Sequence, residues 1–168
     1  LKGVTTSEPA FGLPAVWIAK GEQSEAEMAG YTVVEPSAVV ATHLAEVVKS
    51  YADEILTRQD VKEMVDSLRE HAPALVDEVF GEKVSLTVLH GVLRGLLHER
   101  IPVRDLVTIL ETLASSGPVN EGQVDGLVER VRGALSRQLS HLYADDSRTI
   151  WVLTVHPETE QAIFASFR

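Results

Sequence analysis

Six histidines, His43, His71, His90, His98, His141 and His156, are the side chains of this sequence best suited to proton transfer or metal binding. Their spacing favours neither. His90 and His98 stand eight residues apart, which places them on one helix face but about 12 Å apart along its axis, too far for one ion to bridge. Asp145-Asp146 sits between Ala144 and Ser147 in a turn-forming stretch, where adjacent carboxylates are ordinarily solvated. Asp53-Glu54 and the set Glu22, Glu25 and Glu27 read the same way. Arg104-Asp105, following Ile101-Pro102, reads as a helix start, with the aspartate complementing the N-terminal dipole. Ser85 has no histidine or acid at a recognisable nucleophile spacing. Gly-x-Ser-x-Gly, Walker-type, Gly-x-Gly-x-x-Gly and His-Glu-x-x-His motifs are all absent from the sequence. These residues supply no basis for an enzyme and imply no metal and no cofactor.

Recognition chemistry is better served. Glu8 to Ile18 reads Glu-Pro-Ala-Phe-Gly-Leu-Pro-Ala-Val-Trp-Ile. Two prolines and a glycine make an irregular lead-in, and Ala15-Val16-Trp17-Ile18 follows as a short apolar strand. Phe11 lies in the irregular part, where nothing local can bury it. It must pack on another element or be offered to a partner.

The bulk properties narrow the classes. The 168 residues are 45% hydrophobic and only 5% aromatic, so leucine, valine and alanine fill the core, which suits helices. A net charge of −10 opposes binding to nucleic acid or to an anionic membrane face. Without cysteine there are no disulfides, thiol nucleophiles or thiolate metal sites. No apolar run approaches the ~20 residues of a membrane span. The first residue is Leu1, no signal peptide follows, and the last residues fall inside an apparent helix. These features read as a piece excised from a longer protein.

The elements expected to position these residues form two groups. A strand at Ala15–Ala19, a polar helix at Glu22–Met28 ended by Gly30, and a strand at Tyr31–Val34 make a small α/β unit, incomplete because two strands do not make a stable sheet. A helix from Ser37 to Ile55 follows Pro36 and carries the apolar stripe Val40, Leu44, Val47, Val48, Tyr51 and Ile55. The remainder is mostly helical. Thr57 to Asp60 resembles a capping box. A short turn with Leu75, Val76, Val79 and Phe80 is expected to close at Gly81. Ser85 caps a helix with Leu86, Leu89, Leu93 and Leu97 inward. Helices are expected at Val103–Ser115 and Glu121–Tyr143, a strand at Thr149–Val155, and a last helix from Pro157. The corner at Ile101-Pro102 invites comparison with a helix-turn-helix, but its second helix has one arginine and no Asn, Gln or Lys to read bases.

Four blocks, Glu8 to Ile18, Gly30-Tyr-Thr-Val-Val-Glu-Pro-Ser37, Val40-Ala-Thr-His-Leu44 and Ile101 to Ala114, resemble in order and spacing the cytoplasmic domain of the FlhA family. Members of that family are export-gate subunits of the flagellar type III secretion system. The resemblance implies an α+β, mostly helical fold in four subdomains. Residues 1–35 would be an incomplete α/β, ferredoxin-like insertion and 36–56 the helix returning to the first subdomain. Residues 57–135 would be a helical third subdomain, and 136–168 the start of a further α/β subdomain. It implies no catalysis and no cofactor. It implies a cytoplasmic docking platform at the bacterial inner membrane, arranged as a ring of nine copies. The platform receives flagellar export chaperones with bound substrates, together with other export-apparatus proteins. The membrane is reached only through a preceding part of the longer protein, and nucleic acid is not a partner. Matched residue by residue, the family's chaperone site falls on Glu8, Phe11, Val34, Val39 and Thr42. Alternatives are the equivalent gate protein of a virulence secretion system and, in another class, an acidic helical nucleic-acid-binding regulator.

Overall fold

A computed structural model describes residues 2–166; Leu1, Phe167 and Arg168, where the last expected helix would continue, lie outside the described residues. The chain opens with strands β1 (Val4–Ser7) and β2 (Pro14–Trp17), a 3-10 turn (Lys20–Glu22) and helix α1 (Gln23–Met28). Eight helices follow as α2 (Pro36–Ser50), α3 (Ala52–Ile55), α4 (Arg58–Arg69), α5 (Pro73–Glu82), α6 (Leu86–His98), α7 (Leu106–Ser115), α8 (Val124–Ala134) and α9 (Ser136–Tyr143), with a 3-10 turn (Glu121–Gln123) leading into α8. Helix α10 spans Pro157–Ser166. The fold is thus α+β and mostly helical, as expected. Among the described residues no helix is long and apolar enough to cross a membrane.

Local chemistry sets most element ends. Gly30 (φ 85°) closes α1, with the Tyr31 N–H donating to the Ala26 carbonyl at 3.1 Å and the Gly30 N–H to Glu27 at 3.0 Å. Arg100 (φ 59°) closes α6 in the same pattern, and Ile101, the next residue, turns into the core. At α4 the capping box forms in both directions: the Asp60 N–H donates to Thr57 Oγ1 (3.1 Å) and the Thr57 N–H to Asp60 Oδ2 (2.8 Å). The Thr57 hydroxyl also donates to Asp60 Oδ2 at 2.6 Å.

That cap makes a pH prediction. Hydrogen bonds from the Thr57 side chain, then from its backbone, hold the Asp60 carboxyl below the usual aspartate range. A carboxyl depressed by folding contributes stability above its unfolded value, about 3.9, and that contribution is lost as pH falls through the lower folded value. Thr57→Ala should raise the Asp60 carboxyl part of the way toward the ordinary range, because only the backbone donor at position 57 remains, and cost the helix start about 1 kcal/mol. NMR titration of the Asp60 carboxyl carbon checks this, and a titration in the variant identical to the parent's rules the Thr57 side chain out as the cause.

The core belongs to the helical part. Its contiguous buried cluster runs from Val61 to Leu135 and centres on Leu89, Leu93 and Leu96 of α6, with Ile109, Leu110 and Leu113 of α7. Outside it, Ala26 is the one buried apolar residue among those described. Helices α6 and α8 approach closely where Gly91 and Gly95 face Val124 and Val128. The apolar face of α6 consists of Val88, Leu89, Val92, Leu93 and Leu96, so the expected Leu86 and Leu97 are only partly covered.

Several expected elements differ. Val4–Ser7, not anticipated, pairs antiparallel with β2, Val4 opposite Trp17 and Ser7 opposite Pro14. Neither Tyr31–Val34 nor Thr149–Val155 forms a strand. A strand needs a neighbour for its backbone groups, and among the described residues the sheet stops at two strands. The expected helix to Ile55 breaks at Tyr51 (φ −117°, ψ 19°), and its apolar stripe stays exposed. The expected short turn at 75–80 is the ten-residue α5, begun by Pro73 at its first position and running through Gly81. Helix α7 starts at Leu106 because Asp105 caps it, accepting from the Thr108 N–H at 3.1 Å. The long helix expected over 121–143 is a 3-10 turn, α8 and α9, with buried Leu135 (φ −83°, ψ 4°) at the last break.

Candidate functional site

The β1–β2 connection, Pro9 to Leu13 with Glu8 at its base, is built around one carboxylate. Glu8 Oε1 accepts from the Ala10 N–H at 2.9 Å and Oε2 from the Phe11 N–H at 2.7 Å. The backbone closes around it: the Glu8 N–H donates to the Leu13 carbonyl (2.7 Å) and the Gly12 N–H to the Glu8 carbonyl (2.9 Å). Four hydrogen bonds fix a six-residue loop, so its central aromatic is held out without the usual freedom of a loop tip. Phe11 is 63% exposed there.

Beneath the loop a cleft of about 560 Å³ opens between β2 and the segment Tyr31–Pro36 that enters α2. Glu8, Ala15, Trp17, Val34 and Val39 are among its walls. Three of the five residues assigned by resemblance therefore converge: Glu8, Val34 and Val39. Phe11 and Thr42 are not part of the lining. Thr42 lies exposed on α2, three residues beyond Val39, and Phe11 stands on the loop whose base is Glu8. The resemblance assigns Glu8 to the partner-binding site. In the structure both its oxygens serve the loop backbone. An Asp or Glu followed two and three residues later by the amides of a Pro-x-Phe-Gly turn is the signal for that role.

Several of the residues weighed for catalysis or metal binding have structural partners instead. Ser85 Oγ accepts from the Val88 N–H at 3.2 Å, which makes it the cap of α6. Asp105 caps α7 and also accepts from Gln138 Nε2 at 2.7 Å. Asp145 organises the turn after α9, accepting from the N–H groups of Ser147 and Thr149, both at 2.9 Å. The Ser147 hydroxyl is the main cause that holds its carboxyl below the usual range, followed by the Thr149 backbone. His90 Nε2 reaches the Leu56 carbonyl at 2.9 Å and His98 Nδ1 reaches Asp53 Oδ2 at 3.2 Å. Among the described residues no three His, Asp or Glu side chains come together as a metal site.

The site is thus an apolar cleft beside a braced, solvent-facing aromatic. The FHIPEP family matches residues 1–168, and the chain belongs to that family. It is 42% identical over 163 residues to the flagellar biosynthesis protein FlhA of Bacillus subtilis, covering 97% of this chain and 24% of that protein. Among solved structures, the CdsV protein of Chlamydia pneumoniae superposes with a TM-score of 0.82 at 28% identity, over 96% of this chain and 47% of that one. CdsV in its complex with CdsO superposes with a TM-score of 0.79 at 27% identity, over 90% of this chain and 44% of that one. The nonameric SctV-C of EPEC shares the fold, with a TM-score of 0.65 at 22% identity over 99% of this chain and 57% of that one. The chain spans about a quarter of the length of the curated relatives it matches.

Proposed function

We propose that this chain is the docking part of a flagellar export-gate protein, and that it receives export chaperones with their bound substrates. The observation that carries the reading is Phe11, exposed on a loop that Glu8 braces at the edge of an apolar cleft. Aromatic anchors of this kind dominate interface energetics, and a pre-ordered loop lowers the entropy cost of using them. The role is binding, without catalysis. Val34 and Val39 line the seat for an apolar chaperone side chain, and Thr42 offers a hydroxyl on the adjoining helix face. Higher identity to the flagellar relative than to CdsV favours the flagellar system over a virulence system.

The remaining assignments belong to the same proposal. Residues 1–35, 36–56, 57–135 and 136–168 are separate subdomains, a division supported by the confinement of the buried cluster to Val61–Leu135. The longer protein anchors the platform at the cytoplasmic face of the inner membrane. It forms a ring there, as the nonameric SctV-C does, and meets other export-apparatus proteins, as CdsV meets CdsO.

Phe11→Ala tests the site. Calorimetric titration with a flagellar chaperone–substrate complex should show affinity reduced about 30-fold, the effect of a hot-spot loss near 2 kcal/mol. Thermal unfolding should not change, because Phe11 supports no core. Equal affinity for parent and variant would remove Phe11 from the site.

A further inference from the structure

We infer that one polar row on α6 is a latch that sets the direction of α2 against the helical bundle. Between α2 and α4 the chain passes three non-helical residues, Tyr51, Leu56 (φ −62°, ψ 113°) and Thr57 (φ −93°, ψ 163°), with the single turn of α3 among them. A one-turn helix does not hold itself together, and neither α2 nor α3 buries a residue. Helix α2 contacts the rest of the molecule chiefly through α3, and α3 rests on α6. The segment Ser50–Leu56 is therefore a hinge, and what grips it decides where α2 points.

The grip is a row of four donors. His90, Arg94 and His98 recur every four residues on α6, on one face, at steps of about 6 Å. Arg94 Nε donates to the Asp53 carbonyl at 2.7 Å. His90 Nε2 lies 2.9 Å from the Leu56 carbonyl, and an oxygen that can only accept requires the proton on Nε2. By the same reasoning His98 Nδ1 donates to Asp53 Oδ2 at 3.2 Å. Past the helix end, Arg100 Nη2 reaches Ser50 Oγ at 3.4 Å. The bonds span the hinge from its first residue to Leu56. Two of them satisfy carbonyls at the C-terminal end of α3, where helix carbonyls lack partners and positive groups are favoured.

These contacts are separate from the core. The opposite face of α6 buries Val88, Leu89, Val92, Leu93 and Leu96, whereas Arg94, His98 and Arg100 are exposed and His90 half-buried. A hinge held mostly by solvent-facing hydrogen bonds, with Leu56 at its far end partly packed on the buried cluster, can open while the bundle stays folded. The latch thereby fixes, or releases, the bearing of the cleft relative to the helical bundle, whatever docks there.

Paired spin labels test it. The chain has no cysteine, so cysteines placed at exposed Ala41 on α2 and Glu111 on α7 give unique labels. The combined variant His90→Ala, Arg94→Ala, His98→Ala should widen the distance distribution about twofold. Arg94→Lys, which keeps a cation near the Asp53 carbonyl, should stay close to the parent width. An unchanged distribution in the folded triple variant overturns the latch. His98→Ala alone, at an exposed side chain that cannot disturb the core, gives an independent reading. Amides of Ala52–Leu56 should exchange about tenfold faster while those of α6 to α8 hold their protection. Equal exchange rates at Ala52–Leu56 overturn it as well.

Discussion

Leu93→Ala should lower the unfolding free energy by roughly 3 kcal/mol, while Leu44→Ala should leave it within about 0.5 kcal/mol of the parent. The two leucines are alike in sequence context, each on an apolar stripe at helical spacing. Leu93 is fully buried at the centre of the α6–α7–α8 cluster, so truncation removes apolar burial and leaves a cavity that close-packed neighbours fill only in part. Leu44 is 61% exposed on α2 and loses little by truncation. For a chain of this size a 3 kcal/mol loss corresponds to a fall in Tm of about 6 to 12 °C. Denaturant titration of both variants measures the contrast. Equal losses would mean that the stripe of α2 is core, against its exposure.

Gly95→Ala should destabilise the protein by about 1 to 2 kcal/mol, although alanine is the better helix former by about 1 kcal/mol. A Cβ at Gly95 would stand 2.6 Å from Val128 Cγ2 and 3.5 Å from Cγ1. Val128 is buried and branched at Cβ, so its methyl cannot swing aside as the end of a long side chain would. The α6–α8 contact must open, and the overpacking cost exceeds the propensity gain. Gly91→Ala meets Val124 at 3.2 Å and should cost less. Adding Val128→Ala to Gly95→Ala creates room for the new methyl. The pair should therefore be more stable than the sum of single effects by at least about 0.5 kcal/mol. A Gly95→Ala variant more stable than the parent would contradict the close approach.

Which parts were legible in the sequence follows from how local their causes are. The capping box at Thr57–Asp60, the Ser85 cap, the end of α1 at Gly30 and the turn at Asp145 each depend on residues within a few positions of one another, and each formed where its pattern stands. Segments whose fate depends on a distant partner were misread. Tyr31–Val34 and Thr149–Val155 have strand-like composition, yet no strand lies beside them among the described residues. Val4–Ser7 is a strand because β2 folds back on it, which a Val-Thr-Thr-Ser run does not announce. The apolar stripes of α2 and α6 look equivalent on paper, and only packing distinguishes them.

The candidate site divides in the same way. The Pro-x-Phe-Gly loop and the unsupported aromatic within it were visible from residues 8 to 13, because a loop with proline and glycine has nowhere to hide a phenyl ring. That Glu8 spends both oxygens on the Ala10 and Phe11 amides is equally local, two and three residues along, and its place before the Pro-x-Phe-Gly turn is the signal that the family resemblance passes over.

The sequence by itself determined the mostly helical α+β class, the caps, the absence of thiol chemistry, a Phe11 with no local cover and the family. Those properties rest on composition and on interactions a few residues long. Only the tertiary structure decided that Glu8, Val34 and Val39 share one cleft while Phe11 and Thr42 stand outside it. It also decided that Gly91 and Gly95 let two helices touch, and that His90, Arg94 and His98 grip a hinge more than thirty residues away. Such pairings come from the meeting of surfaces remote in the chain, and no local pattern encodes which surfaces meet.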